Sequence, residues 1–247
     1  MRILVTNDDG VFSPGLQTLA ELASKLGEVR VVAPDAEQSS MGQAITSSRP
    51  LTYRATRIGG FDGFRVNGTP SDCVALGIHH WERVDAVLSG INQGYNLGNS
   101  TWHSGTLAAA KQAALFGVKG ISVSSAPLET RAAYDGLLEA ARRVLEALLS
   151  KETKSLLFNV NLPPKPKGIA WTRLSVRHYD GRVVATKDPL GRPIFWFTAV
   201  PIENVEPGTD RFAIGQNQVS VTPLRLDITD VQCLEECRTR LPFTSPG

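Results

Sequence analysis

The stretch that decides the fold is Arg2-Ile3-Leu4-Val5-Thr6-Asn7-Asp8-Asp9-Gly10, read with the Ser13-Pro14-Gly15 that follows it. Ile3, Leu4 and Val5 are consecutive apolar residues and predict a short strand. A strand that is apolar throughout, without alternation, suits a sheet covered on both faces, the habit of parallel sheets. Ser13-Pro14 reads as an N-cap with proline in the first helical turn. Leu16, Leu19, Ala20, Ala23 and Leu26 then recur at helical spacing up to Gly27. Val29 to Ala33 predicts the next strand, so the chain begins as strand, helix, strand.

The same rhythm continues. Ser71 to His79-His80 predicts a helix with cations at its C-terminus. Asp85 to Ser89 predicts a strand, Thr106 to Phe116 a helix closed by Gly117, and Gly120 to Ser124 a further strand. A longer helix is expected from about Leu128 to Ser150, and a strand from Leu156 to Asn161. Alternation of this kind implies βαβ crossovers, hence an α/β protein with a mainly parallel sheet flanked by helices. After Pro163-Pro164 the texture changes. Residues 165–220 are rich in Pro, Gly, aromatic and β-branched residues, including Phe195-Trp196-Phe197, and predict hairpins projecting from the main sheet. No separate domain with a clean linker is expected. Residues 1–247 read as one α/β domain, with a core over about 1–163 and the hairpin region over about 164–247.

Composition excludes several classes of function. The chain has 247 residues, 42% hydrophobic and 20% charged, with a formal net charge of +2. A polymeric nucleic-acid partner would call for a clustered basic stripe, and none is present. Cys73, Cys233 and Cys237 are the three cysteines. Their odd number and wide spacing argue against a disulfide framework, and no close His or further Cys completes a zinc set. No basic, apolar leader opens the chain, and no window of about 18 apolar residues suggests a membrane span. The expectation is a soluble, cytoplasmic protein.

Chemistry collects at the carboxyl ends of the strands, where ligands bind in open α/β sheets. Asn7-Asp8-Asp9-Gly10 follows the first strand, Pro34 to Ser40 the second, and Ser89 to Gly98 the third. Two carboxylates roughly 4–5 Å apart repel by about 1 kcal/mol in water and about 3–4 kcal/mol at an effective dielectric of 20. A fold that holds such a pair must share a proton between them or supply a cation. Ser39 and Asn92 are the neutral oxygen donors at the same edge. Carboxylate, hydroxyl and amide oxygens make a hard site, suited to Mg²⁺, Mn²⁺ or Ca²⁺. The bland alternative is that Asp8 and Asp9 only form a turn and cap the following helix. A second element, Trp102-His103-Ser104-Gly105-Thr106, leads into a helix, and its free N–H groups suit an anion. Ordinary capping by Ser104 or Thr106 is the alternative there. A Ser104 nucleophile with His103 as base lacks the strand–GxSxG–helix context.

Taken together, ILVTNDDG with Ser13-Pro14-Gly15, Ala33-Pro34-Asp35 with Ser39, GTPSDCV (68–74), VLSGINQGYNLG (87–98), HSGTLAAA (103–110), NVNLP (159–163) and SVTPLRLDIT (220–229) closely resemble the SurE family of metal-dependent 5′-nucleotidases. The resemblance spans nearly the whole chain. It implies a Rossmann-like core, an extended β-hairpin subdomain and a C-terminal dimer-exchange segment, giving a homodimer or homotetramer. It implies one divalent cation per subunit, Mg²⁺ or Mn²⁺, held by Asp8, Asp9, Ser39 and Asn92, with Asp8 and Asp9 catalytic. It implies phosphate contacts from Asn96, Ser104, Gly105 and Thr106. The activity implied is hydrolysis of nucleoside 5′-monophosphates to nucleoside and phosphate, with 3′-nucleotides and short polyphosphate as further substrates. A non-catalytic nucleotide sensor is the competing expectation. Two positions depart from the family pattern. Ser40 stands where a glycine usually follows the metal-binding serine, and His103 stands where a tyrosine is more common.

Overall fold

The computed structural model describes residues 1–176, 179–201 and 204–240. The end of the expected dimer-exchange segment, 241–247, lies outside the described residues. The chain opens with β1 (Arg2–Thr6), α1 (Pro14–Ser24) and β2 (Glu28–Pro34), followed by β3 (Tyr53–Ile58), β4 (Phe61–Val66) and α2 (Pro70–Trp81). The middle holds β5 (Ala86–Gln93), α3 (Gly105–Leu115), β6 (Lys119–Ser125), α4 (Leu138–Leu149) and β7 (Leu157–Leu162). Then come β8 (Gly168–Trp171), β9 (Tyr179–Lys187), β10 (Pro193–Pro201), α5 (Asp210–Gly215), β11 (Gln218–Leu224) and α6 (Val231–Arg240).

Nine strands form one sheet in the order β3-β4-β2-β1-β5-β6-β7-β11-β8. From β4 to β7 every pairing is parallel. Strand β3 joins its edge antiparallel, and β11 runs antiparallel to β7. The apolar run of β1 is explained by its position. Ile3 and Val5 enter the core shared with α1, while Leu4 enters the core shared with α2 and α3. Strand β1 is followed outward by β2 on one side and β5 on the other, so the chain reverses direction of travel there. That switch point opens a crevice at the carboxyl ends of β1 and β5.

Three expectations are corrected. The helix expected over Leu128–Ser150 is a 3₁₀ segment, Arg131–Leu137, followed by α4. Tyr134 and Leu137 are both fully buried, and their three-residue spacing matches the 3₁₀ period. Strands β3, at the sheet edge, and β4, beside it, were not anticipated, because arginines and Asp62 interrupt their apolar pattern. Of the segment 165–220, only β9 and β10 form a separate two-stranded hairpin, while β8 and β11 rejoin the main sheet. Beyond β11 the chain reaches α6, which buries no residue within this chain.

Candidate active site

The turn after β1 is closed by Asn7, not by the aspartates. Its Nδ2 donates to the Gly10 carbonyl at 3.0 Å and to Ser13 Oγ at 2.7 Å. Ser13 in turn caps α1, accepting from the Leu16 N–H at 3.2 Å. Turn and cap are therefore served without Asp8 or Asp9, which removes the bland reading of the acidic pair.

Asp8 is 4% exposed and points across the switch-point crevice to the start of α3. Thr106 Oγ1 donates to its Oδ1 at 2.6 Å. This approach needs Gly105, because a Cβ there would stand 2.8 Å from Asp8 Cβ and 2.9 Å from Oδ2. Burial pushes the Asp8 carboxyl above the ordinary carboxylate range, against the Thr106 hydroxyl, which favours the charged form. Asp9 is less enclosed and accepts from the Gln93 N–H at 3.3 Å. Burial first, and the neighbouring Asp8 charge second, raise its pKa to about 6.

The remaining candidates lie around them. A cleft of about 580 Å³ is lined by Asp8, Ser39, Asn92, Asn96 and Ser104, with Tyr95, His103 and Phe197 also on its walls. An adjoining cleft of about 510 Å³ takes in Asp9 and shares Ser39 and Gln93 with the first. Ser39 Oγ donates to Glu37 Oε1 at 2.7 Å. Asn92 Nδ2 donates to the Gly94 carbonyl at 2.7 Å, leaving its Oδ1 as the end available to a cation. Ser104 caps α3 through the Leu107 N–H at 3.0 Å and makes no hydrogen bond with His103. Gly105 and Thr106 do not line the cleft, and the Thr106 hydroxyl belongs to Asp8. The helix end that the sequence assigned to a phosphate is thus shared with a carboxylate of the protein itself.

Asn96 is held by a buried network that sequence reasoning missed. Its N–H donates to Asn161 Oδ1 at 2.9 Å, and its carbonyl accepts from Asn159 at 2.8 Å and Asn161 at 3.0 Å. Its Nδ2 reaches Ser124 Oγ at 2.9 Å and Thr106 Oγ1 at 3.4 Å. The signal was present in NVNLP, since two fully buried amides inside an apolar strand require partners. Asn161→Ala leaves the Asn96 N–H without its acceptor and should cost about 1–3 kcal/mol of stability, read by chemical denaturation.

Ser40 explains the family glycine. Its φ is +61°, the left-handed region where a side chain is disfavoured. Ser40→Gly should therefore be tolerated and gain up to about 1 kcal/mol in thermal unfolding. Gly105→Ala should do the opposite at the site, displacing Asp8 and lowering whatever activity the cleft supports by about 10²-fold while the protein still folds.

The donor set fits a hard divalent cation. Asp8, Asp9, Ser39 and Asn92 offer oxygens only, and the acidic pair has no basic side chain among its interactions. Among the described residues no three or more His, Cys, Asp and Glu side chains group to hold a metal ion, so the candidate set depends on the neutral oxygens of Ser39 and Asn92 beside the two carboxylates. No helix of the described residues is long and apolar enough to cross a membrane.

Comparison with known proteins agrees with this architecture. A family model described as Survival protein SurE matches residues 3–181. 5′-Nucleotidase SurE 1 of Thermus thermophilus is 44% identical over 254 residues, covering 100% of both chains. 5′-Nucleotidase SurE of Pelobacter propionicus is 42% identical, covering 97% of this chain and 99% of that relative. The crystal structure of the SurE protein from Aquifex aeolicus superposes with a TM-score of 0.82 at 35% identity, over 97% of this chain and 99% of the other. With its family-matched residues running from β1 into the hairpin, and its relatives matched end to end, the chain belongs to the SurE family.

Proposed function

We propose that this chain is a divalent-metal-dependent phosphomonoesterase that hydrolyses nucleoside 5′-monophosphates to nucleoside and phosphate. We further propose that it acts on 3′-nucleotides and short polyphosphate, and that it works as a homodimer with α6 exchanged between copies. The observation that carries the reading is the acidic pair at the switch point. Both carboxyls are raised by burial, Asp8 faces the N-terminus of α3, and Ser39, which lines both adjoining clefts, and Asn92 add neutral oxygens beside them.

In this reading Asp8, Asp9, Ser39 and Asn92 hold one Mg²⁺ or Mn²⁺ ion. Bound there, the ion would polarise the phosphoryl oxygens and lower the pKa of a water. Thr106 aims Asp8, and its hydrogen bond favours the charged carboxylate against the effect of burial. Asp9, the more exposed of the two, orients the attacking water through its carboxylate. Ser104, on the cleft wall, receives the phosphate, and the N-terminus of α3 that begins at Gly105 and Thr106 stabilises its developing charge through the helix dipole. Asn96, fixed by Asn159 and Asn161, lines the same cleft and contacts the phosphate.

The test is phosphate release across a panel of nucleotides and metals. The expected result is turnover of 5′-nucleotides that EDTA abolishes and Mn²⁺ or Mg²⁺ restores. Full activity in metal-stripped protein would sink the metal assignment. Tight AMP binding with no turnover in any metal would make the chain a nucleotide sensor instead.

A further inference from the structure

We infer that Phe197, on the hairpin, is the platform on which the nucleobase of the substrate stacks. This inference rests on the nucleotide reading above and deepens it. Phe197 belongs to β10 yet lines the same cleft as Asp8, Asn92 and Ser104, although it lies far from all of them in sequence. Its ring is seated, not loose. Phe197 pairs with Val183 across the hairpin, and Gly181 is its diagonal neighbour. A Cβ on Gly181 would stand 2.7 Å from Phe197 Cζ and 3.1 Å from Cε2, so the ring lies against the bare backbone of Gly181. The residue is nevertheless 69% exposed. One side of the ring rests on the hairpin while much of it stays open to solvent and to the cleft.

Of the three rings that line the cleft, Tyr95 and His103 bear polar atoms. The cleft floor carries the carboxylate, amide and hydroxyl groups that suit a phosphate and a cation. Phe197 carries no polar atom. A flat apolar ring at the wall of a polar cleft suits the one flat apolar surface a nucleotide has, its base. Stacking on an aromatic side chain contributes about 1–3 kcal/mol per base and tolerates any base, because every base has a π-face. The absence of donors and acceptors on Phe197 predicts a preference for nucleotides over baseless phosphate esters, with weak discrimination among purines.

The experiment compares binding of AMP and ribose 5-phosphate by titration calorimetry in Mn²⁺ for wild type and variants. Wild type should bind AMP about 10–100-fold more tightly. Phe197→Ala should abolish that preference while leaving ribose 5-phosphate affinity within about twofold, and Phe197→Trp should retain it. Gly181→Ala, which keeps the ring but lifts it from its seat, should weaken the preference. Phe195→Ala, on the same hairpin but outside the cleft lining, should leave it unchanged. If Phe197→Ala changes both affinities alike, or neither, Phe197 is no base platform. Failure of the nucleotidase reading is seen separately, as an intact AMP preference in wild type with no phosphate release.

Discussion

Asp9→Asn is expected to fold normally and to lose metal-dependent phosphate release by roughly 10³-fold, more than the 10–100-fold typical of residues that only support a ligand. The substitution keeps the size and shape of the side chain and can still accept from the Gln93 N–H, so the turn has no structural reason to move. It removes one unit of negative charge from the candidate cation site. Asp8→Asn should lose as much activity, and it carries a structural cost because an amide must replace a buried carboxylate beside the Thr106 hydroxyl. The measurement is kcat with saturating Mn²⁺, paired with metal affinity by calorimetry. If Asp9→Asn keeps full turnover, Asp9 is not a ligand and the site must be redrawn around Asp8.

Thermal stability of the metal-free protein should fall as pH rises from about 4 to 7, and added Mn²⁺ should reverse the fall. The direction follows from the raised carboxyls. Asp9 has a pKa of about 6 in the folded chain against an ordinary 3.8, so the folded state binds its proton more tightly than the unfolded state. The stabilising contribution is complete below the unfolded value and is lost as pH rises through about 6. That shift corresponds to on the order of 2–3 kcal/mol, and Asp8 acts in the same direction. A cation that binds only the ionised pair stabilises the folded state by mass action, most strongly where protons no longer compete. The gain in Tm on adding Mn²⁺ should therefore grow between about pH 5 and pH 7. A gain that does not vary over this range would show that the metal is bound elsewhere.

Much of the fold was legible because a parallel strand buried on both faces has an unmistakable pattern. Ile3-Leu4-Val5 could be assigned from three letters, and Ser13-Pro14 marked the start of α1 within a residue. The edge strand β3 and its neighbour β4 were not legible, since arginines and Asp62 interrupt their apolar pattern and resemble loop sequence. The 3₁₀ segment before α4 was missed for a different reason. Helical periodicity over so few turns does not separate a spacing of three from one of three to four.

The sequence by itself supplied the residue types of the candidate site: an acidic pair, neutral oxygens and a small-residue helix start, all following parallel strands. Strand ends converge in any such sheet, so residue type and position along the chain were sufficient. Which atom meets which was decided only by tertiary structure. Thr106 serves Asp8, Asn7 and Ser13 relieve the aspartates of any turn-making role, and Asn161 on β7 fixes Asn96. Phe197 lines the cleft from a hairpin that forms its own two-stranded sheet. These pairings join residues far apart in sequence, and their energies depend on distances of a few ångströms that local propensity does not encode.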